Sequence, residues 1–302
     1  MTNNRPFYKR APTYAGVLRT AAQIKKQCPA VGLFTAGKSV LGRRIVGLTL
    51  GNLNAPVLFA GAFHAQEWLT CQLLLRFFDD LSAAYASKTD LCDLPVRRIL
   101  QNRGLVLIPL VNPDGMEIAV SGTASAGPLA DFVEQTARKD SRSWQANARG
   151  VDLNHNYNAG FRTLRRMEKL DGIDSPSPRQ YGGEHPHSEP ETRAMVSLCR
   201  RVCFKRVFAF HSQGEEIYYS YGEKTPANAR FFGEVLAASC GYSLEEPAGL
   251  ASHGGFKDWF IDTFARPGFT IEIGRGENPL PVEELEPIYA RLLEMMLIAV
   301  LL

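Results

Sequence analysis

The chain predicts an α/β domain, and three observations carry that reading. Apolar runs of strand length, Val57 to Phe63, Leu105 to Val111, Arg206 to Phe210 and Phe269 to Gly274, recur along it and read as buried strands. Segments of helical periodicity lie between them, the clearest from Glu67 to Ala84, where Leu69, Leu73, Leu74, Phe77, Phe78 and Leu81 line one face. The length of 302 residues with 45% hydrophobic content suffices for one large core or two modest ones, and one domain spanning 1–302 is the simpler reading.

Taken in order, residues 1–40 read as a helical lead-in. Arg43 to Leu50 and Val57 to Phe63 are neighbouring strands, separated by the turn signal Gly51-Asn-Leu-Asn54 in a hairpin-like start. After the helix from Glu67, the strand Leu105 to Val111 ends at Asn112-Pro-Asp-Gly115, whose proline and glycine predict a tight turn. From 121 to 190 periodicity fades and Gly, Pro, Ser, Arg and Asn dominate, which predicts long loops forming the walls of a cleft. Ser188-Glu-Pro-Glu-Thr192 has the pattern of a helix start with the serine as N-cap, and the helix should run to about Cys203. A helix to Cys240, a loop Ser252-His-Gly-Gly255, a strand carrying Glu272 in its middle and a terminal helix from about Pro281 complete the reading. No internal repeat or low-complexity tract is present.

The chemistry sits at strand ends. His64-Ala-Gln-Glu67 follows the apolar run Val57 to Phe63, so a histidine and a glutamate three residues apart can turn onto one metal ion. His-x-x-Glu is a common pattern by itself. Zinc in hydrolases takes two histidines and a carboxylate and keeps a fourth position for water, which requires a second histidine from elsewhere. His211 ends the run Arg206 to Phe210 and is the best candidate, since open sheets gather ligands at one edge. Glu272 is a lone carboxylate in an otherwise apolar strand, a costly placement unless it shifts its pKa or meets a cation. Beside a zinc site it suits a general base that then acts as general acid; a core salt bridge is the structural alternative.

With these residues in order, His64-x-x-Glu67, Asn112-Pro-Asp-Gly115, Gly150-Val-Asp-Leu-Asn154, His211 and Glu272, the chain resembles the zinc metallocarboxypeptidase family over nearly its whole length. The resemblance implies a central mixed sheet flanked by helices, one zinc ion on His64, Glu67 and His211, and Glu272 as the catalytic glutamate. The chain also departs from the family pattern. The family's arginine after the asparagine of Val-Asp-x-Asn is here His155, so Asn154 and His155 stand where a substrate carboxylate would be clamped without a guanidinium fork. The family's carbonyl-polarising arginine maps to Gln145, which leaves Gln145, Arg142 and Arg149 as candidates for that task. In the loop containing His253, Lys257 falls where side-chain specificity is set, and the family's tyrosine maps to Leu250.

Four segments, Trp144 to Asn154, Ser188 to Thr192, Phe210 to Tyr218 and Pro267 to Gly274, resemble the bacterial branch that cuts γ-D-glutamyl-meso-diaminopimelate bonds of cell-wall peptides. That likeness implies a small muropeptide stem as substrate, its distal carboxylate meeting Lys257 and its distal ammonium meeting Glu215 or Glu216. Asp152 is expected behind a zinc histidine. Removal of an acidic C-terminal residue, and muropeptide binding without catalysis, are the other readings of the same residues.

Composition agrees and excludes partners. A formal charge of +3 with no sustained basic run gives no footprint for nucleic acid or an anionic membrane, and Arg162 to Arg166 reads as a solvated stretch. The N-terminus lacks the apolar segment of a secretory signal, and Met295 to Leu302 is too short to span a bilayer. Six cysteines without paired metal spacing fit reduced thiols in a cytoplasmic enzyme. Nothing in the sequence sets an oligomeric state.

Overall fold

Alternate residues of the apolar runs feed two separate cores. In a computed structural model describing residues 5–137, 140–246 and 249–302, the strands are β1 (Gly32–Lys38), β2 (Arg44–Gly51), β3 (Pro56–Gly61), β4 (Gly104–Ile108), β5 (Val207–His211), β6 (Glu216–Tyr218), β7 (Ser243–Glu245) and β8 (Gly268–Glu272). The helices are α1 (Tyr14–Gln27), α2 (Trp68–Ser87), α3 (Val96–Asn102), α4 (Pro113–Ser121), α5 (Ala130–Ala137), α6 (Phe161–Leu170), α7 (Pro190–Arg201), α8 (Ala229–Cys240), α9 (Phe256–Phe264) and α10 (Leu285–Leu301). Val57, Phe59, Phe208, Phe210, Phe269 and Ile271 face α2, α8 and α10 in the larger core. Leu58, Ala60, Val207 and Ala209 face Met195 of α7 and Trp259 and Phe260 of α9 on the other side. Every residue of β3 is buried, as expected of strands covered on both faces.

The strands form one mixed sheet in the order β1-β2-β4-β3-β5-β8-β6-β7. The centre is parallel: β3 pairs with β4 and β5, and β5 with β8. Antiparallel pairs β1·β2, β2·β4 and β6·β8 flank it. The expected α/β class and mixed sheet are therefore what the chain adopts.

Several local expectations are corrected. β2 and β3 are not hairpin partners, because β4 lies between them; the Asn52 amide donates to the Leu100 and Arg103 carbonyls at 2.8 and 3.3 Å and carries the chain across the end of β4. The lead-in is helical only in part, since it also supplies β1, the true partner of β2; its first four residues lie outside the described residues. Asn112-Pro-Asp-Gly115 opens helix α4, with the Asn112 side chain accepting from the Gly115 amide at 2.9 Å, a cap built on proline at the first helical position. Glu189, not Ser188, is the N-cap of α7, and its side chain makes no capping bond; the Ser188 hydroxyl donates to the Glu189 carboxylate instead. The 121–190 segment contains α5 and α6 besides its loops, with 138–139 outside the described residues. Glu272 ends its strand rather than standing mid-strand.

One buried carboxyl makes the fold pH-dependent. Glu191 in α7 is fully buried and accepts from the Val40 amide at 3.0 Å. Burial, with Asp114 and Glu189 nearby, pushes its pKa up to about 8. The folded chain thus keeps a proton that the unfolded chain releases near the ordinary carboxylate value. Stability from this group is complete at acidic pH and lost as pH rises through about 8. We predict that Glu191→Gln flattens the fall in melting temperature between pH 5 and 8.5; an unchanged slope in calorimetric melts would refute this.

Candidate active site

The parallel pairing delivers three side chains to one edge. His211 and Glu272 are direct register partners at the carboxyl ends of β5 and β8. The chain leaves neighbouring β3 through Ala62, which adopts φ 50°, a left-handed conformation uncommon for a residue with a Cβ. Four hydrogen bonds hold this turn. The Ala62 amide donates to Thr70 Oγ1 at 2.8 Å and its carbonyl accepts from the Asn112 amide at 3.0 Å. Asn112 Nδ2 donates to the Phe63 carbonyl at 3.1 Å, and the Ala65 amide to the Gln145 carbonyl at 2.9 Å. His64 is thereby placed over the sheet edge, and Glu67 follows at the N-cap of α2.

His64, Glu67 and His211 each present a ligand atom, all within 4.8 Å of one another. His64 Nδ1 lies 2.7 Å from Glu67 Oε1, His211 Nδ1 3.0 Å from Oε2, and the two ring nitrogens 3.2 Å apart. Burial opposes charging the His64 ring, but Glu67 and Asp152 outweigh it and raise its pKa well above the usual value. Burial likewise opposes ionisation of Glu67, yet His64 and His211 hold it down at about 2. Burial keeps His211 on the neutral side despite Glu67. The cluster therefore favours positive charge at its centre, and two imidazoles with one carboxylate are the donor set that zinc takes. Behind it, His64 Nε2 lies 3.1 Å from Asp152 Oδ1, which fixes the ring so that Nδ1 points inward. The group fits one zinc ion.

A profile described as zinc carboxypeptidase matches residues 17–295. The chain belongs to that family. A Lysinibacillus sphaericus protein named gamma-D-glutamyl-L-diamino acid endopeptidase 1 is 32% identical over 286 residues, covering 94% of this chain and 71% of the relative. The Bacillus subtilis protein YqgT is 34% identical over 265 residues, 86% of this chain and 69% of the relative. Among solved structures, carboxypeptidase A from Helicoverpa armigera superposes with a TM-score of 0.73 at 19% identity, over 99% of this chain and 75% of that one. Murein-tripeptide amidase MpaA from Escherichia coli gives a TM-score of 0.54 at 22% identity over 89% and 90% of the two chains. This zinc carboxypeptidase homologue is a zinc metallopeptidase acting on peptides. No helix among its described residues is long and apolar enough to cross a membrane.

A cavity of about 230 Å³ opens beside the ligand cluster, and Glu272 and His64 both line it. Burial raises the Glu272 pKa well above the ordinary value; Glu67 and Glu216 add to the rise and His64 opposes it. Gln145, Asn154, His155, His253 and Lys257 line the same cavity. Gln145 Nε2 donates to Asp152 Oδ2 at 2.7 Å, and Asn154 Oδ1 accepts from the Phe256 amide at 3.0 Å at the start of α9. His253 Nδ1 lies 3.3 Å from the Tyr221 hydroxyl.

Other candidates are placed differently from expectation. Arg142 and Arg149 are exposed and do not line the cavity; Arg149 faces Glu189 at 3.7 Å. Lys257 is buried, donating to the Ser220 carbonyl at 2.6 Å and paired with Asp258 at 2.5 Å, so its charge is already neutralised. Glu216 stands outside the lining and accepts from the Tyr218 hydroxyl at 2.5 Å. Glu215 pairs with Arg275 and with Arg291 of α10. Tyr218 and Arg179 line the cavity without having been singled out. The sequence cue for Arg179 is its place in the 121–190 segment, read as cleft wall.

Asp152 gives this site a direct test. Asp152→Asn removes the charge behind His64 and should weaken zinc binding by about 10- to 100-fold. Competition with a chromophoric chelator measures it; unaltered affinity would show that Asp152 serves only the loop. Replacing His211 with Ala should abolish stoichiometric zinc by elemental analysis.

Proposed function

We propose that this metallopeptidase hydrolyses the amide between a γ-D-glutamyl residue and meso-diaminopimelate in cell-wall stem peptides. The observation that carries the reading is the side chain of His155. Its Nδ1 is committed to Glu168 Oε1 at 2.9 Å and to the Gln180 carbonyl at 3.0 Å, so this position lacks the guanidinium fork of the ordinary carboxypeptidase pattern, and the departing residue is gripped differently from a plain C-terminal amino acid. The likeness over 94% of the chain to an enzyme named for γ-D-glutamyl-L-diamino acid bonds supports the same substrate class. On this reading the 121–190 segment forms one wall of the cleft, through Gln145, Asn154 and His155.

His64, Glu67 and His211 hold the metal. Bound zinc supplies Lewis-acid polarisation of the scissile carbonyl and acidifies water at the site. Glu272, from the strand beside His211, takes the proton of the attacking water and passes it to the leaving amine of diaminopimelate. Its raised proton affinity suits both tasks, since it must accept a proton and then surrender it. The Gln145 amide, with one hydrogen committed to Asp152, has a second to donate to the oxygen on which charge develops.

The expected result is release of free diaminopimelate from L-Ala-γ-D-Glu-meso-diaminopimelate by the zinc-loaded protein, identified by mass spectrometry. Glu272→Gln should retain zinc and lose about 10²- to 10⁴-fold in kcat. Full activity in a zinc-replete Glu272→Gln protein would remove Glu272 from the mechanism. Hydrolysis of acidic dipeptides alone would replace the substrate assignment.

A further inference from the structure

Neither of the two positions compared above, Gln145 and His155, holds the family's arginine, yet an arginine lines the cavity. Arg179 lines it beside Gln145, Asn154, His155 and Gln180. The backbone around Arg179 is fixed on both sides. The Pro178 carbonyl accepts from the Gln145 and Ala146 amides at 2.9 and 3.0 Å, and the Gln180 amide donates to Asp152 Oδ2 at 3.1 Å. Gln180 itself adopts φ 66°, a left-handed conformation sustained by those bonds and by its carbonyl's contact with His155.

The charge on Arg179 is uncompensated. Lys257 is paired with Asp258, and Arg165 pairs with Glu168 and stacks 4.6 Å from the Tyr181 ring. Arg179 is exposed, and among the described residues it has neither an ion pair nor a side-chain hydrogen bond. His155 does not compete for anions. A backbone carbonyl only accepts, and the ion-paired Glu168 carboxylate also accepts, so the His155 proton is on Nδ1. Burial lowers the ring's pKa and favours its neutral form, in which Nε2 carries a lone pair that repels a carboxylate and suits a donor.

We infer that Arg179 is the carboxylate-recognising residue of this cleft, and that the preferred substrates carry a carboxylate near the scissile amide. A guanidinium offers a carboxylate two parallel charged hydrogen bonds. The inference rests on the proposed function only in placing a peptide in this cavity. A γ-D-glutamyl stem peptide presents two sources of such a group: the α-carboxylate freed by the γ-linkage on the acyl side, and the carboxylates of diaminopimelate on the leaving side.

Three peptides separate these sources: the free tripeptide, its D-isoglutaminyl analogue, and the analogue amidated on diaminopimelate. Arg179→Gln should raise KM for the free tripeptide by about 10- to 100-fold with little change in kcat, and Arg179→Lys should recover part of it. For the analogue lacking the recognised carboxylate, the substitution should add no further loss. Equal losses on all three peptides, or none, would overturn the inference, and melting temperature and zinc content should stay unchanged throughout. Calorimetric binding of the same peptides to zinc-loaded Glu272→Gln protein, with and without Arg179→Gln, reads recognition without turnover. Binding that depends on Arg179 with no cleavage by the parent protein upholds Arg179 and sinks the proposed reaction; cleavage indifferent to Arg179 does the reverse. Neither binding nor cleavage overturns both.

Discussion

Parallel pairing of β3, β5 and β8 is the constraint from which the site follows. Parallel strands end on the same side, so the residues that leave β3 and β5 and terminate β8 converge without any long-range coincidence of loops. β3 lies between β4, reached through α2, and β5, reached much later in the chain, and ligands gather at such a divergence in α/β sheets. Two covered faces keep these strands rigid, and rigidity at the strand ends is what a metal cluster of defined spacing needs.

Asp152 extends that order into the loops. Its Oδ1 meets His64 Nε2 and accepts from the Asn154 amide, while its Oδ2 accepts from Gln145 Nε2 and the Gln180 amide. One carboxylate thus ties the His64, Glu67 and His211 group to Gln145, Asn154 and Gln180 along the cavity wall. With four such contacts Asp152 stays ionised far below the ordinary carboxylate range despite burial, through His64 above all. The orientation of His64 and the shape of the cavity wall are therefore not independent properties.

What was legible in the sequence depended on length and purity of signal. β3 and β5 read as apolar runs, and in β8 only Thr270 and the closing Glu272 interrupt the pattern, so the polar residues closing or following these strands stand out by contrast. β6 and β7, three residues each, are too short to show a period, and β1 alternates exposure along a stretch that includes Gly32, Thr35 and Gly37. The turn at Gly51 is visible, but which strand lies next to β2 depends on pairing more than fifty residues away, Gly51 with Gly104 and Leu48 with Leu107. Charged side chains were hardest to place, because their meaning lies in their partners. Lys257 reads as available in the sequence but is held by Asp258 and the Ser220 carbonyl, whereas the Arg179 side chain has no ion pair among the described residues.

The distribution of the larger core has a consequence for how the enzyme is made. α10 contributes Leu285, Leu292, Met295, Met296 and Val300 to the same core as β3 and α2, and its Arg291 fastens Glu215 just before β6. A nascent chain that has already extruded His64, Glu67, His211 and Glu272 still lacks the helix that seals the face behind them. The larger core is therefore complete only once residues 285–301 pack against the sheet, which ties the alignment of His64, Glu67, His211 and Glu272 to a helix that contributes none of them.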